Sequence, residues 1–171
     1  SPDGVPAGVV TEGRTFFWSG PVQLFASGAI DPSTLQGEVT ISMDAGDNTV
    51  AGLQNDLYLD GLDAAFLRDA DGFPDCSANP EIHKPATRAG FLPQDCVGEH
   101  CSRIRIIVFS ILDTSPIPTG EWLYRCRVTA DGTATVNFSN ALAAGHLNEL
   151  ILATGVSSTL GATAMSADTT E

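Results

Sequence analysis

An all-β sandwich, built as a single domain, is predicted by three features of the sequence. The 171 residues are 43% hydrophobic, enough for an independent core. Their apolar residues come in short runs that alternate with polar ones, the period of half-buried strands. The 17 glycines and 10 prolines recur between those runs, punctuating them as turns do and leaving no room for long helices.

Taken in order, Thr15 to Trp18 and Val22 to Phe25 read as two short strands split by Gly20 and Pro21. Val39, Ile41 and Met43 alternate with Thr40, Ser42 and Asp44, which predicts a half-buried strand ending at the turn Ala45 to Asn48. Val50 to Asp60 follows as a second long strand in which Leu53, Leu57 and Leu59 share one parity. Gly61 to Gly98 is rich in Asp, Pro and Gly and reads as a loop excursion with at most one short strand. The apolar continuity of Arg103 to Leu112 predicts a central strand covered on both faces. After the proline-bearing turn Asp113 to Gly120 it is expected to pair with its neighbour, Trp122 to Val128. Thr133 to Phe138 reads as another strand. Asn140 to Leu152 is undecided between a helical turn at Ala141 to Ala144 and an extended stretch from His146, and the tail from Ser157 is small and polar. No internal repeat or low-complexity linker divides the chain.

Charge narrows the function classes. Twenty-one acidic residues stand against eight basic ones, a net charge of −13, and Lys84 is the sole lysine. Such a chain cannot replace the counterions of a phosphate backbone or an anionic lipid surface, which argues against nucleic acid and membrane partners. No run approaches the ~20 apolar residues that span a bilayer. The chain opens at Ser1 without methionine or a charged-then-apolar leader, the pattern of a processed, mature chain. Four cysteines without a CxxC pair point to disulfides and an oxidising, extracellular setting.

The segments VAGLQNDLYLD (Val50 to Asp60), FPDC (Phe73 to Cys76), Asn79-Pro80, RIIVFS (Arg105 to Ser110) and IPTGEWLYRC (Ile117 to Cys126) together resemble a cohesin-like domain of the exported bacterial kind. The likeness covers about Leu35 to about Val156 as short strands in the same order. It implies a jelly-roll β-sandwich of about nine strands, of the cohesin and carbohydrate-binding-domain kind, devoted to extracellular recognition or assembly. Residues 1–29 precede the first matching strand as an amino-terminal arm, with 30–171 as the sandwich domain. No dockerin segment or linker to repeated copies accompanies it, which sets a cellulosome role aside.

For the cysteines, Cys96 and Cys101 lie five residues apart and can close a small loop, leaving Cys76 and Cys126 to tie the loop excursion to the Tyr124 strand. Similar domains keep the first and last of these cysteines, which supports the pairs Cys76–Cys126 and Cys96–Cys101 among the three arrangements that four cysteines allow. A zinc set of His83, His100, Cys96 and Cys101 lacks the usual ligand spacing. Asp69, Asp71 and Asp75 stand at the first, third and seventh positions around Gly72, a layout able to wrap calcium. The distal glutamate of an EF-hand is missing, so an Asp/Gly turn is favoured and no cofactor is required.

Nothing marks a catalytic residue. There is no Gly-x-Ser-x-Gly elbow, the three histidines fall in loop contexts, and no two carboxylates are singled out as a glycosidase pair. Phe16, Phe17, Trp18, Trp122 and Tyr124 offer rings that can stack on sugars, with core packing as their ordinary role. Asn137 to Ser139 forms an N-glycan acceptor pattern.

An arm carrying Phe16, Phe17, Trp18, Val22, Leu24 and Phe25 cannot remain in water. It packs either on its own sandwich as an edge strand or on the sheet of a neighbouring copy by strand addition. The latter joins copies head to tail into a filament or surface layer. The expectation is therefore a secreted, non-enzymatic structural protein that forms a homo-oligomer or polymer. The alternative is a binding module for a carbohydrate or a partner protein domain.

Overall fold

The computed structural model describes residues 10–11, 14–15, 22–46, 49–60, 62–97, 101–130, 147–152 and 157–158. Among them the chain is all-β, with a single 3-10 turn at Pro80–Ile82. The strands are β1 (Val10–Thr11), β2 (Arg14–Thr15), β3 (Gln23–Asp31), β4 (Gln36–Asp44), β5 (Val50–Tyr58), β6 (Ala64–Phe66), β7 (Cys76–Ala78), β8 (Arg88–Phe91), β9 (Arg103–Val108), β10 (Trp122–Ala130), β11 (Leu147–Leu152) and β12 (Ser157–Ser158). They form two antiparallel sheets. The first runs β3-β4-β10, with β6 and β7 both beside β10, and the second runs β12-β11-β5-β9-β8. β1 and β2 make a separate two-stranded ladder.

Side-chain parity builds the core. Leu24 and Ala26 of β3, Val39, Ile41 and Met43 of β4, and Leu123, Tyr124, Cys126 and Val128 of β10 are buried, and they meet Leu53, Leu57, Ile104, Ile106, Val108 and Phe91 from the second sheet in one cluster. Two sheets joined through their apolar faces are the arrangement of a β-sandwich. One polar pair crosses the core: the Asn55 Nδ2 of β5 donates to the Tyr124 hydroxyl of β10 at 2.8 Å, both residues being fully buried. Burial raises the Tyr124 pKa above its ordinary value, so the phenol stays neutral.

The β3–β4 hairpin is tightly specified. Its turn places Leu35 in the left-handed region (φ 57°), with Leu35 N–H donating to the Asp31 carbonyl at 2.8 Å. Gly37 is required where the strands close, because a Cβ there would lie 2.0 Å from the Ala29 carbonyl oxygen.

Several expectations are corrected. The arm boundary at residue 29 falls inside β3, which pairs with β4 in unbroken register from Gln23↔Asp44 to Asp31↔Gln36. Val22 and Leu24 are fully buried in the chain's own core, so the sandwich starts by residue 22. The strand from Arg103 ends at Val108 and alternates, with Ile104, Ile106 and Val108 inward and Arg103 and Arg105 outward. Ile111 and Leu112 are exposed instead of continuing it. This strand and Trp122–Ala130 do not pair: β9 lies between β5 and β8, while β10 lies in the other sheet. The intervening loop crosses the rim, anchored by buried Ile117, whose N–H donates to the Val50 carbonyl at 2.7 Å. The excursion Gly61 to Gly98 contains three short strands, β6, β7 and β8. Thr133 to Phe138, Asn137 to Ser139 and Ala141 to Ala144 lie outside the described residues.

Candidate functional site

The loops around the cysteines are built by their own hydrogen bonds. Cys76 is bonded to Cys126, directly opposite it in the β7–β10 ladder with Cα atoms 4.0 Å apart, and Cys96 is bonded to Cys101. Arg68 clamps this region: Nη1 donates to the Gly72 carbonyl at 2.7 Å, Nη2 to the Cys96 carbonyl at 2.6 Å, and the guanidinium covers the Phe91 ring at 4.3 Å. With both sulfurs in the Cys96–Cys101 bond, the zinc set loses two of its ligands. His83 is exposed at the end of the 3-10 turn, and His100 lies outside the described residues.

The segment Asp69 to Asp75 takes the form of the turn that the sequence favours over a calcium loop. The Asp69 Oδ1 accepts the Asp71 and Phe73 N–H groups, each at 2.9 Å, and closes the loop as an Asp/Gly turn does. Asp75 faces another way and pairs with Arg127 at 3.0 Å. Asp69, Asp71 and Asp75 thus do not converge, and among the described residues no three His, Cys, Asp or Glu side chains gather as a metal site.

A hollow of about 500 Å³ opens where the 3-10 turn meets the crossing loop, lined among others by Asn79, His83, Lys84, Ser110 and Asp113. Lys84 is buried, and its Nζ donates to the Asp113 and Ser115 carbonyls at 2.8 Å each. Burial lowers its pKa, against the attraction of Asp113. These bonds tie the crossing loop to the turn, which makes Lys84 a staple of the fold.

The outward faces differ in character. On the second sheet, Arg105 holds Asp56 through two bonds of 2.8 and 3.0 Å, and Arg103 reaches Asp60 at 2.8 Å while lying 4.5 Å from the Tyr58 ring centre. The Arg103 hydrogen bond holds the Asp60 carboxyl below its ordinary pKa. On the first sheet, register places Phe25, Ser42 and Trp122 in one row across β3, β4 and β10. Both rings are partly exposed and stand roughly 10 Å apart, two inter-strand steps. Arg125 covers one face of Trp122 at 4.0 Å and approaches Glu38 at 3.6 Å. Tyr124 points into the core, and Phe16, Phe17 and Trp18 lie outside the described residues.

The remaining feature is the rim of the first sheet. β3 is its outermost strand and pairs only with β4 among the described residues. Of the arm residues named from the sequence, Val22 and Leu24 are inside, Phe25 is on the outer face, and the chain reaches them directly from residues 1–21. No protein-family model, no curated protein and no solved structure matches this chain. No helix among the described residues is long and apolar enough to cross a membrane, and two disulfides are compatible with an extracellular location.

Sequence reading passed over Asn55, Arg68 and Lys84. For Asn55 a signal existed, because it shares the parity of Leu53 and Leu57 and an inward amide needs a buried partner. Nothing local marks Arg68 or Lys84, whose partners lie about 30 residues away in the chain.

Proposed function

We propose that the protein is an extracellular, non-enzymatic structural subunit that self-associates into a filament or surface layer, with residues 1–21 as the connecting arm. One observation carries this reading: among the described residues β3 is an edge strand, and it begins at Gln23, so residues 1–21 join the fold at the rim of a sheet. A chain segment at a rim can add to a sheet of a neighbouring copy using main-chain hydrogen bonds. The state of the acidic side chains agrees with a structural role. Asp31, Asp44, Asp69 and Asp113 cap turns, and Asp56, Asp60 and Asp75 are held by arginines. For the scaffold we propose a cohesin-like jelly roll. Its support is two antiparallel sheets of five strands each, between which the chain crosses after β4, β5, β7, β9 and β10.

Electron microscopy and size-exclusion chromatography of the unreduced protein test the proposal. Ordered polymers that vanish when residues 1–21 are removed are the expected result, and a monomer at all micromolar concentrations overturns it.

The row Phe25, Ser42, Trp122 favours a second reading, a binding module that lays a neutral glycan across the first sheet, its sugars stacking on the two rings. Titration with soluble β-linked hexasaccharides, followed by Trp fluorescence, separates the readings. Binding that Trp122→Ala weakens at least tenfold supports the module, and no binding by the full chain removes it.

A further inference from the structure

Strand addition needs a receiving edge, and the sheet rims are not equivalent. Native edges are protected by shortness, proline, charge or irregularity. Opposite β3, the first sheet ends in β6 and β7, three residues each, interrupted by a loop and joined by the bridge Arg68↔Pro74. Pro74 and Pro80 flank β7. In the second sheet, β12 has two residues; β8 has four, begins with Arg88 and lies between Pro85 and Pro93. β3 also lies between two prolines, Pro21 and Pro32, and ends on Asp31, but it is neither short nor irregular. It runs nine residues without proline, keeps unbroken register with β4, and carries no charge from Gln23 to Ile30.

We infer that β3 is the receiving edge, and that its occupant is the amino-terminal arm of a second copy of this chain. This rests on the arm-mediated reading above and names the other half of the contact. Charge selects the occupant. The molecule carries −13, yet residues 1–21 hold only Asp3 and Glu12 against Arg14, a net −1 that leaves −12 for the rest. This nearly neutral segment, with Phe16, Phe17 and Trp18, approaches an uncharged edge without the like-charge penalty that other acidic surfaces incur. Length argues that the contact lies between copies. Arg14 and Thr15 pair with Thr11 and Val10 in a ladder separate from both sheets, so only residues 16–21 remain to fold back on the same β3. Six residues folded back on β3 could span no further than about Phe25, and among the described residues Ala26 to Asp31 pairs with β4 alone. A contact between an arm and a different surface is heterologous, so each added copy presents a fresh β3.

The test uses the absence of free cysteines. Two full-length variants, Phe17→Cys and Ala29→Cys, are mixed under mild oxidation, alongside the double variant in one chain. The expected product is a covalent dimer that contains one of each single variant. A second arm uses Ser27→Lys with Ala29→Lys, which places two charges on the edge and should abolish assembly while the melting temperature stays within a few degrees. Arg88→Glu on β8 should assemble normally. An intrachain disulfide in the double variant, with none between chains, overturns the inference because the arm then covers its own sheet. Assembly that needs residues 1–21 but survives both lysines places the receiving edge elsewhere; this overturns the inference and leaves the proposed function standing. Assembly that survives removal of residues 1–21 fails the function itself.

Discussion

The Tyr124 hydroxyl and the Asn55 amide hold each other between the two sheets, away from water. Removing one partner leaves the other unsatisfied, which costs about 1–3 kcal/mol, whereas replacing both with apolar groups of like shape costs less. Tyr124→Phe is therefore expected to lower the urea midpoint more than Tyr124→Phe combined with Asn55→Leu. Asp60 makes a pH prediction. Its carboxyl is held below the ordinary value by Arg103, so its stabilising contribution is present above the unfolded-state pKa and is lost as pH falls through the lower folded-state pKa. Both partners are about half exposed, which limits the pair to roughly 0.5–1 kcal/mol. Asp60→Asn is expected to lose that amount near pH 7 and to converge on the wild type in thermal melts once the pH has fallen through the folded-state pKa of Asp60. Curves that stay parallel at every pH contradict the assignment.

Cross-links between elements carry different weights. Cys76–Cys126 closes a loop of 50 residues and fastens β7 to β10, whereas Cys96–Cys101 spans five. Loop-closure entropy predicts that removing the first with paired serines costs about 4 kcal/mol and the second about 2 kcal/mol, which denaturant titration of the two variants will rank. Legibility of the fold followed the same division between local and distant. Val39 to Met43 and Leu53 to Leu59 announced their strands because one face of each is buried and the period is two. Cys96 and Cys101 are close enough in the chain to suggest a loop. Sheet membership was not readable: Arg103 to Val108 and Trp122 to Ala130 are sequence neighbours, and only the anchoring of Ile117 against Val50 reveals that the chain changes sheets between them. The arm was half legible. Phe25 and Leu24 looked like part of a free strand because their nine-residue partner, β4, begins only after the turn at Leu35. At the site, the aromatic list from the sequence mixed Tyr124, which points inward, with Trp122, which points outward; a register shift between them separates what simple alternation would have grouped.

Across the whole molecule, charge opposes association and the rim of the first sheet permits it. With −13 on each copy, long-range repulsion is screened over about 10 Å at 0.1 M salt. Contact between a nearly neutral arm and the uncharged stretch Gln23 to Ile30 of β3 should therefore strengthen with salt, the reverse of a salt-bridged interface. Light scattering at low and high ionic strength is expected to show larger particles in high salt; smaller ones would mean that opposite charges join the copies. The head-to-tail geometry itself is tested most directly by sedimentation velocity of the full chain over a wide concentration range. An open, strand-added assembly predicts a mean sedimentation coefficient that keeps rising with concentration. A plateau at the dimer, or a monomer throughout, would contradict it.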